Sequence, residues 1–220
     1  DGHIKKSSFE AACYAAKVAE MTGTTAEGIL LGTVSDDLAS LGKYGIGKIH
    51  TVADAALNTL DAQLYTKVLA QVTEATGADV IICSHNTSGK AVAPRLSVRL
   101  KAGLVSGAAA LPDLSNGFTV KKTVFSGKAF ANIAITSAKK IIALNPNSFD
   151  ISVTDATAEV VPFAATIDTG KISVTDTKRV TGEVSLSEAE IVVSGGRGLK
   201  GPENWSLVTD LAKLLGAATA

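Results

Sequence analysis

The sequence predicts an α/β protein built on an open, mostly parallel sheet with flanking helices, and three observations predict it. Apolar runs of strand length alternate with segments of helical period, joined by short connections. One run, Asp79 to Ser84, is nearly all apolar, as a strand covered on both faces must be. The composition is rich in Ala, Val, Ile and Gly but only 5% aromatic, which suits close helix-to-sheet layers.

Taken in order, the chain opens with an amphipathic helix over Ser7 to Met21, where Phe9, Ala12, Cys13, Ala16, Val18 and Ala19 recur at helical spacing. Gly23-Thr24-Thr25 turns into a strand over Ala26 to Val34, with an apolar centre at Ile29-Leu30-Leu31. Asp36 and Asp37 could be read as paired carboxylates, but their place before Leu38-Ala39 makes them caps of a short helix ending near Gly42. Gly47 to Ala53 is the second strand. Asp61 to Thr76 is the clearest helix, with Leu64, Val68, Val72 and Ala75 on one stripe and Gly77 as its stop. Asp79 to Ser84, the third strand, is expected at the centre of the sheet. The loop His85-Asn-Thr-Ser-Gly-Lys90 then leads into a helix from about Ala91 to Ala102. Repetition of this order implies parallel pairing with right-handed crossovers.

From Leu104 the period changes. Leu104-Val105, Phe118 to Phe125, Asn132 to Thr136 and Lys140 to Leu144 are short β runs with no helix between them, the later ones expected as antiparallel additions at one edge. Val153 to Ala165 is extended, and Thr166 to Glu188 is mostly polar. A domain boundary is expected within roughly 165–188, leaving an amino-terminal α/β domain of residues 1–185 and the start of a second over 186–220.

Composition narrows the function classes. With 220 residues the chain can bury a substantial core. Lys and Arg balance Asp and Glu to a net charge of zero, so nothing in the charge favours nucleic acid or an anionic membrane. No apolar run approaches the length of a spanning helix and no signal segment opens the chain, so a soluble protein is expected. Cys13 and Cys83 are too far apart in sequence to suggest a disulfide framework or metal spacing, and read as small core residues in a reducing compartment.

The most specific stretch is Glu188 to Trp205. Ile191 to Val193 reads as a short buried parallel strand, and it stops at Ser194-Gly195-Gly196. Gly195, Gly196 and Gly198 would let the backbone take positive φ and come close to a ligand. Pro202 and Glu203 suit the first turn of a helix whose apolar face carries Trp205, Val208, Ala212 and Leu215. Strand, glycine turn and helix N-terminus together form an anion site, and Arg197 adds a positive fork to it. Gly196-x-Gly198-x-x-Gly201 also satisfies the dinucleotide fingerprint, and an NAD(P)-binding oxidoreductase domain is the competing reading. That reading needs a second strand ending in an acidic residue about twenty residues further on, and it finds no acid or base nearby.

Elsewhere the candidates are plainer. His85 and Ser88-Gly89-Lys90, at the carboxyl end of a strand, could cradle a phosphate in a nucleotide-binding module for ATP or AMP. With no second motif converging there, the loop is better read as a helix cap. His3 and His50 lack ligand spacing and read as surface or structural. Cys83 and His85, two apart on a strand, have no third group to orient them, and no catalytic constellation or metal cluster emerges.

The run Ile191-Val-Val-Ser-Gly-Gly-Arg-Gly-Leu-Lys200, followed by Glu203-Asn204 and an aromatic at 205, resembles the opening of the flavin-binding domain of the electron-transfer flavoprotein alpha subunit. Ser7 to Glu20, Gly77 to Arg99 with Pro94-Arg95-Leu96, Thr123 to Ala131 and Ile142 to Phe149 with Asn145-Pro146-Asn147 resemble further stretches of the same family. The resemblance implies an amino-terminal domain of the adenine nucleotide alpha hydrolase-like kind. It also implies an FAD-contacting role for Arg197, with Gly195, Gly196 and Gly198 shaping the turn around it. By the same resemblance the sheet would lack the family's first strand and most of the flavin domain would lie beyond Ala220, so a fragment is expected. The implied function is a carrier and not a catalyst: paired with a beta subunit, it would hold FAD and pass electrons from acyl-CoA-type flavin dehydrogenases of fatty acid beta-oxidation to a quinone oxidoreductase. The implied compartment is the bacterial cytoplasm or the mitochondrial matrix.

Overall fold

In the computed structural model, residues 2–170, 172–176, 186 and 189–220 are described. The chain divides into two units, residues Asp1–Ser173 and Val174–Ala220. The domain boundary expected at 185/186 lies outside the described residues.

The first unit runs α1 (Lys6–Thr22), β1 (Ala26–Leu31), β2 (Ile46–Val52), α2 (Ala62–Thr76), β3 (Val80–Ser84), α3 (Thr87–Leu100), β4 (Gly103–Ala108), β5 (Thr119–Val124), β6 (Ala129–Ala134), β7 (Lys140–Leu144) and β8 (Glu159–Pro162). Local signals set most of the ends. Gly23 and Gly77 close α1 and α2 in the left-handed conformation. Asp61 caps α2, its carboxylate accepting from the N–H groups of Gln63 at 2.9 Å and Leu64 at 3.2 Å.

The two adjacent aspartates divide their work. Asp37 caps the 3₁₀ turn Leu38–Tyr44 by accepting from Ala39 N–H, whereas Asp36 accepts from Ile4 N–H and pairs with the His3 imidazole at 2.8 Å. The turn does not end at Gly42. It runs on to Tyr44 and closes at Gly45.

Two sheets carry the unit. One is parallel in the order β1-β2-β8, and the other has the order β3-β7-β4-β5-β6, in which β3, β7 and β4 are parallel and β5 and β6 antiparallel. This corrects two expectations. Lys140 to Leu144 is not an antiparallel edge addition: β7 pairs in parallel with β3 on one side and β4 on the other. β3, expected to be central, is an edge strand of its sheet among the described residues. An apolar run reports cover on both faces and says nothing about neighbours in the plane.

The packing explains why β7 is so apolar. Ile141 joins Ala70, Ala93 and Leu96 on the side of α2 and α3, while Ile142 joins Tyr14 and Val18 of α1 on the other side. Successive side chains point to opposite faces, so both are fully buried. α2 also covers the parallel sheet through Leu64, Val68 and Val72 against Val52.

The histidines without ligand spacing are held by carboxylates; His50 on β2 meets Glu27 of β1 at 2.7 Å. Cys13 is buried, and burial pushes the Cys83 thiol up to about 11, so it stays protonated and unreactive at neutral pH. Among the described residues, no helix is long and apolar enough to cross a membrane.

Candidate functional site

The loop after β3 lies at the carboxyl end of a strand in parallel pairing with β7. His85 N–H donates to Leu144 O at 2.7 Å, and Asn86 caps α3 by accepting from Gly89 N–H at 3.0 Å. The helix therefore starts at Thr87 and not near Ala91, and it starts hard against the strand: a Cβ on Gly89 would fall 1.9 Å from Ser84 O. Capping is thus what the loop does. Partial burial, with Lys90 and Lys122 adding repulsion, holds the His85 imidazole below its ordinary range. Its protonation should be followed by NMR: the midpoint is expected below about 6.5 and rising in Lys122→Ala. Because the folded-state value is depressed, stability is full above the unfolded value and is lost as pH falls below it.

The second unit consists of β9 (Val192–Val193), α4 (Ser206–Leu215) and β10 (Ala218–Thr219), with β9 and β10 parallel. It is a βαβ crossover in miniature. α4 buries Val208 and Ala212, while Leu207, Leu211, Leu214 and Leu215 are exposed. Leu215 therefore does not share the buried face expected for it. Ile191 and Val192 are also 48% and 43% exposed, against the expectation of a buried strand, since among the described residues β9 has one neighbour.

Between β9 and α4 the chain makes two short 3₁₀ turns, Arg197–Leu199 and Pro202–Asn204, so Pro202 opens a 3₁₀ turn and the α-helix begins only at Ser206. The glycines are there for a reason other than the one the sequence suggests. None of Gly195, Gly196 or Gly198 has positive φ; Gly196 sits at φ −126°, which any residue can adopt. Gly195 is required by packing, since a Cβ there would meet Leu199 Cδ1 at 2.4 Å, Trp205 Cζ3 at 2.8 Å and Val208 Cγ2 at 2.9 Å. Cβ atoms on Gly196 and Gly198 would meet nothing within 4 Å, so that side of the turn is open.

Gly195, Gly196, Arg197 and Leu199 border an open cleft of ≈ 510 Å³ together with Lys200, Gly201, Pro202 and Trp205. Gly195 N–H is taken by Ala220 O, Leu199 N–H by Gly196 O and Lys200 N–H by Arg197 O. Among the described residues, the N–H groups of Gly196, Arg197 and Gly198 find no such acceptor. Arg197 is exposed, and no described carboxylate pairs with it. Three successive free donors beside an unneutralised guanidinium are what an anionic group needs, because each donor that meets an acceptor there displaces only water.

The dinucleotide fingerprint does not describe this geometry. Its third glycine serves close helix-to-strand packing, but Gly201 lies in an extended conformation and the three atoms nearest a Cβ on it would be those of the Glu203 carboxylate. The packing glycine is Gly195. Sequence reasoning missed Lys200 and the cleft-lining position of Trp205: a lysine in the left-handed region, φ 65°, leaves no mark in the sequence.

A larger α/β unit followed by a small βαβ unit with a glycine turn after its first strand defines a two-unit α/β protein. Comparison with known proteins narrows this. The family model for the electron transfer flavoprotein domain matches residues 1–168, and that for the electron transfer flavoprotein FAD-binding domain matches residues 185–220. The electron transfer flavoprotein subunit alpha of Bacillus subtilis is 32% identical across 99% of this chain and 68% of its own length. That of Syntrophomonas wolfei is 27% identical across 99% and 69%. Protein FixB of Escherichia coli O127:H6 is 30% identical across 71% of this chain and 51% of its own. The chain belongs to the electron transfer flavoprotein alpha subunit family.

Proposed function

We propose that this chain is the alpha-type subunit of an electron carrier which, paired with a beta-type subunit, holds FAD and relays electrons from flavin dehydrogenases of the acyl-CoA type to a quinone oxidoreductase. On this reading residues 1–185 form the amino-terminal scaffold and 186–220 open the FAD-binding domain. The observation that carries it is the open turn at Gly196 to Gly198, whose N–H groups and Arg197 guanidinium have no partner among the described residues, inside the stretch that matches the FAD-binding domain model.

The residues present fit the cofactor. Gly195 packs the turn tightly against Leu199, Trp205 and Val208, while Gly196 and Gly198 leave their outer side clear for a ligand. Bound FAD supplies the redox chemistry, accepting and releasing electrons at its ring. The chain's own contribution is binding and electrostatics. The N–H groups of Gly196, Arg197 and Gly198 hold an anionic part of the cofactor, and the Arg197 guanidinium places a permanent positive charge beside it. Trp205 walls the cleft on its apolar side.

Coexpression with the beta-type subunit tests the proposal. A pair that purifies with flavin absorbance, releases FAD on denaturation and is reduced by an acyl-CoA dehydrogenase with its substrate is expected. A pair that forms but carries no flavin and takes up none contradicts it.

A further inference from the structure

Two of the residues bordering the cleft are charged, Arg197 and Lys200, and both are positive. Lys200 is exposed and makes no ion pair with a described carboxylate. The nearest acid in sequence, Glu203, is not among the lining residues; its carboxylate stands beside Gly201, which is. Lys200 also holds a left-handed backbone, φ 65° and ψ −29°, closing the 3₁₀ turn by donating its N–H to Arg197 O at 3.1 Å. Glycine would serve that cap at lower cost, since a Cβ is strained there. Lys101 caps α3 in the same region of φ, so the conformation alone says little. What distinguishes Lys200 is that its strained position borders the cleft and puts a second cation beside three free N–H groups.

A single guanidinium matches a single negative charge. Two cations three residues apart, Arg197 within the row of free donors and Lys200 two residues beyond it, with no acid among the residues that line the cleft, match a group carrying two. We propose that Lys200 supplies the second positive charge for the diphosphate of FAD, complementing Arg197. This rests on the FAD reading and adds to it a residue that discriminates a diphosphate-bearing flavin from one without phosphate.

The test uses the chain purified with its beta-type subunit, stripped of flavin and titrated with FAD or with riboflavin at low and high salt. Lys200→Gln is expected to weaken FAD about tenfold, the scale of one charge-assisted hydrogen bond, to flatten the salt dependence, and to leave riboflavin unchanged. Lys200→Gly should lose the same affinity while its unfolding midpoint rises, which separates the charge from the cap. Lys200→Arg should retain FAD.

If both uncharged variants bind FAD like the wild type, or weaken riboflavin to the same degree, Lys200 is only a turn residue and the inference is overturned. Should Arg197→Ala lose FAD while the Lys200 variants keep it, the inference alone fails. A wild-type pair that takes up no FAD overturns both the inference and the functional reading beneath it.

Discussion

Glu10→Ala is expected to lower the unfolding free energy of the first unit by about 2–3 kcal/mol, because it removes a buried carboxylate that holds three partly buried donors at once. The Glu10 carboxylate is only 3% exposed and accepts from three consecutive N–H groups, those of Asn147 at 2.9 Å, Ser148 at 2.6 Å and Phe149 at 2.8 Å. A carboxylate bonded this way offsets its own desolvation and fixes the loop that follows β7. That loop contains Asn147 in the left-handed conformation, φ 58°, and ends on Phe149, whose ring stands edge-on to Tyr14 at 5.3 Å. Tyr14 in turn donates its hydroxyl to Ala110 O. α1, the loop and the core around Val105 and Ile142 are therefore tied through one acid. Glu10→Gln keeps one carbonyl acceptor and should lose roughly half as much. Urea denaturation reads both; a loss under about 1 kcal/mol for Glu10→Ala would show that water replaces the carboxylate freely.

The second large effect is at Gly42. A Cβ there would fall 2.2 Å from Thr157 C, 2.3 Å from Ala158 N and 2.4 Å from Thr157 Cα. All three are backbone atoms, and no rotamer change moves them aside. The same stretch is stitched to the 3₁₀ turn by Ala158 N–H donating to Ala39 O at 2.9 Å, and it leads into β8, which pairs with β2. Gly42→Ala is expected to cost about 3 kcal/mol and to speed hydrogen exchange at Val160 and Val161 ahead of the rest of the sheet. Gly47→Ala is the control. Its Cβ would meet nothing nearer than Ala26 O at 3.9 Å, so its effect should stay under about 1 kcal/mol.

Gly42 also shows where sequence reading reaches its limit. The glycine was visible and reads as a helix stop, since a stop is the commonest local use of glycine; its actual role, close approach to a segment 115 residues away, is set by tertiary packing. The same division holds across the fold. α1, α2 and the Gly77 stop of α2 were legible because period and stop signals are local. The parallel pairing of β8 with β2 and the position of β7 between β3 and β4 were not, because strand order depends on long-range pairing. At the site, the glycine run and Arg197 were visible, and the resemblance attached a cofactor to them. The reason for Gly195 was not visible, since three side chains crowding one Cα cannot be read from a glycine-rich string.

The functional account depends on one arrangement: an anionic cofactor group seated on the open N–H row beside the Arg197 guanidinium, with the rest of the chain as scaffold. FAD stoichiometry of the purified alpha–beta pair, wild type against Arg197→Ala, tests it most directly. Arg197 is exposed and without a described carboxylate partner, so the substitution should leave folding and pairing intact. The account predicts a pair that assembles as before but loses its FAD. An Arg197→Ala pair with undiminished FAD content and affinity would contradict it.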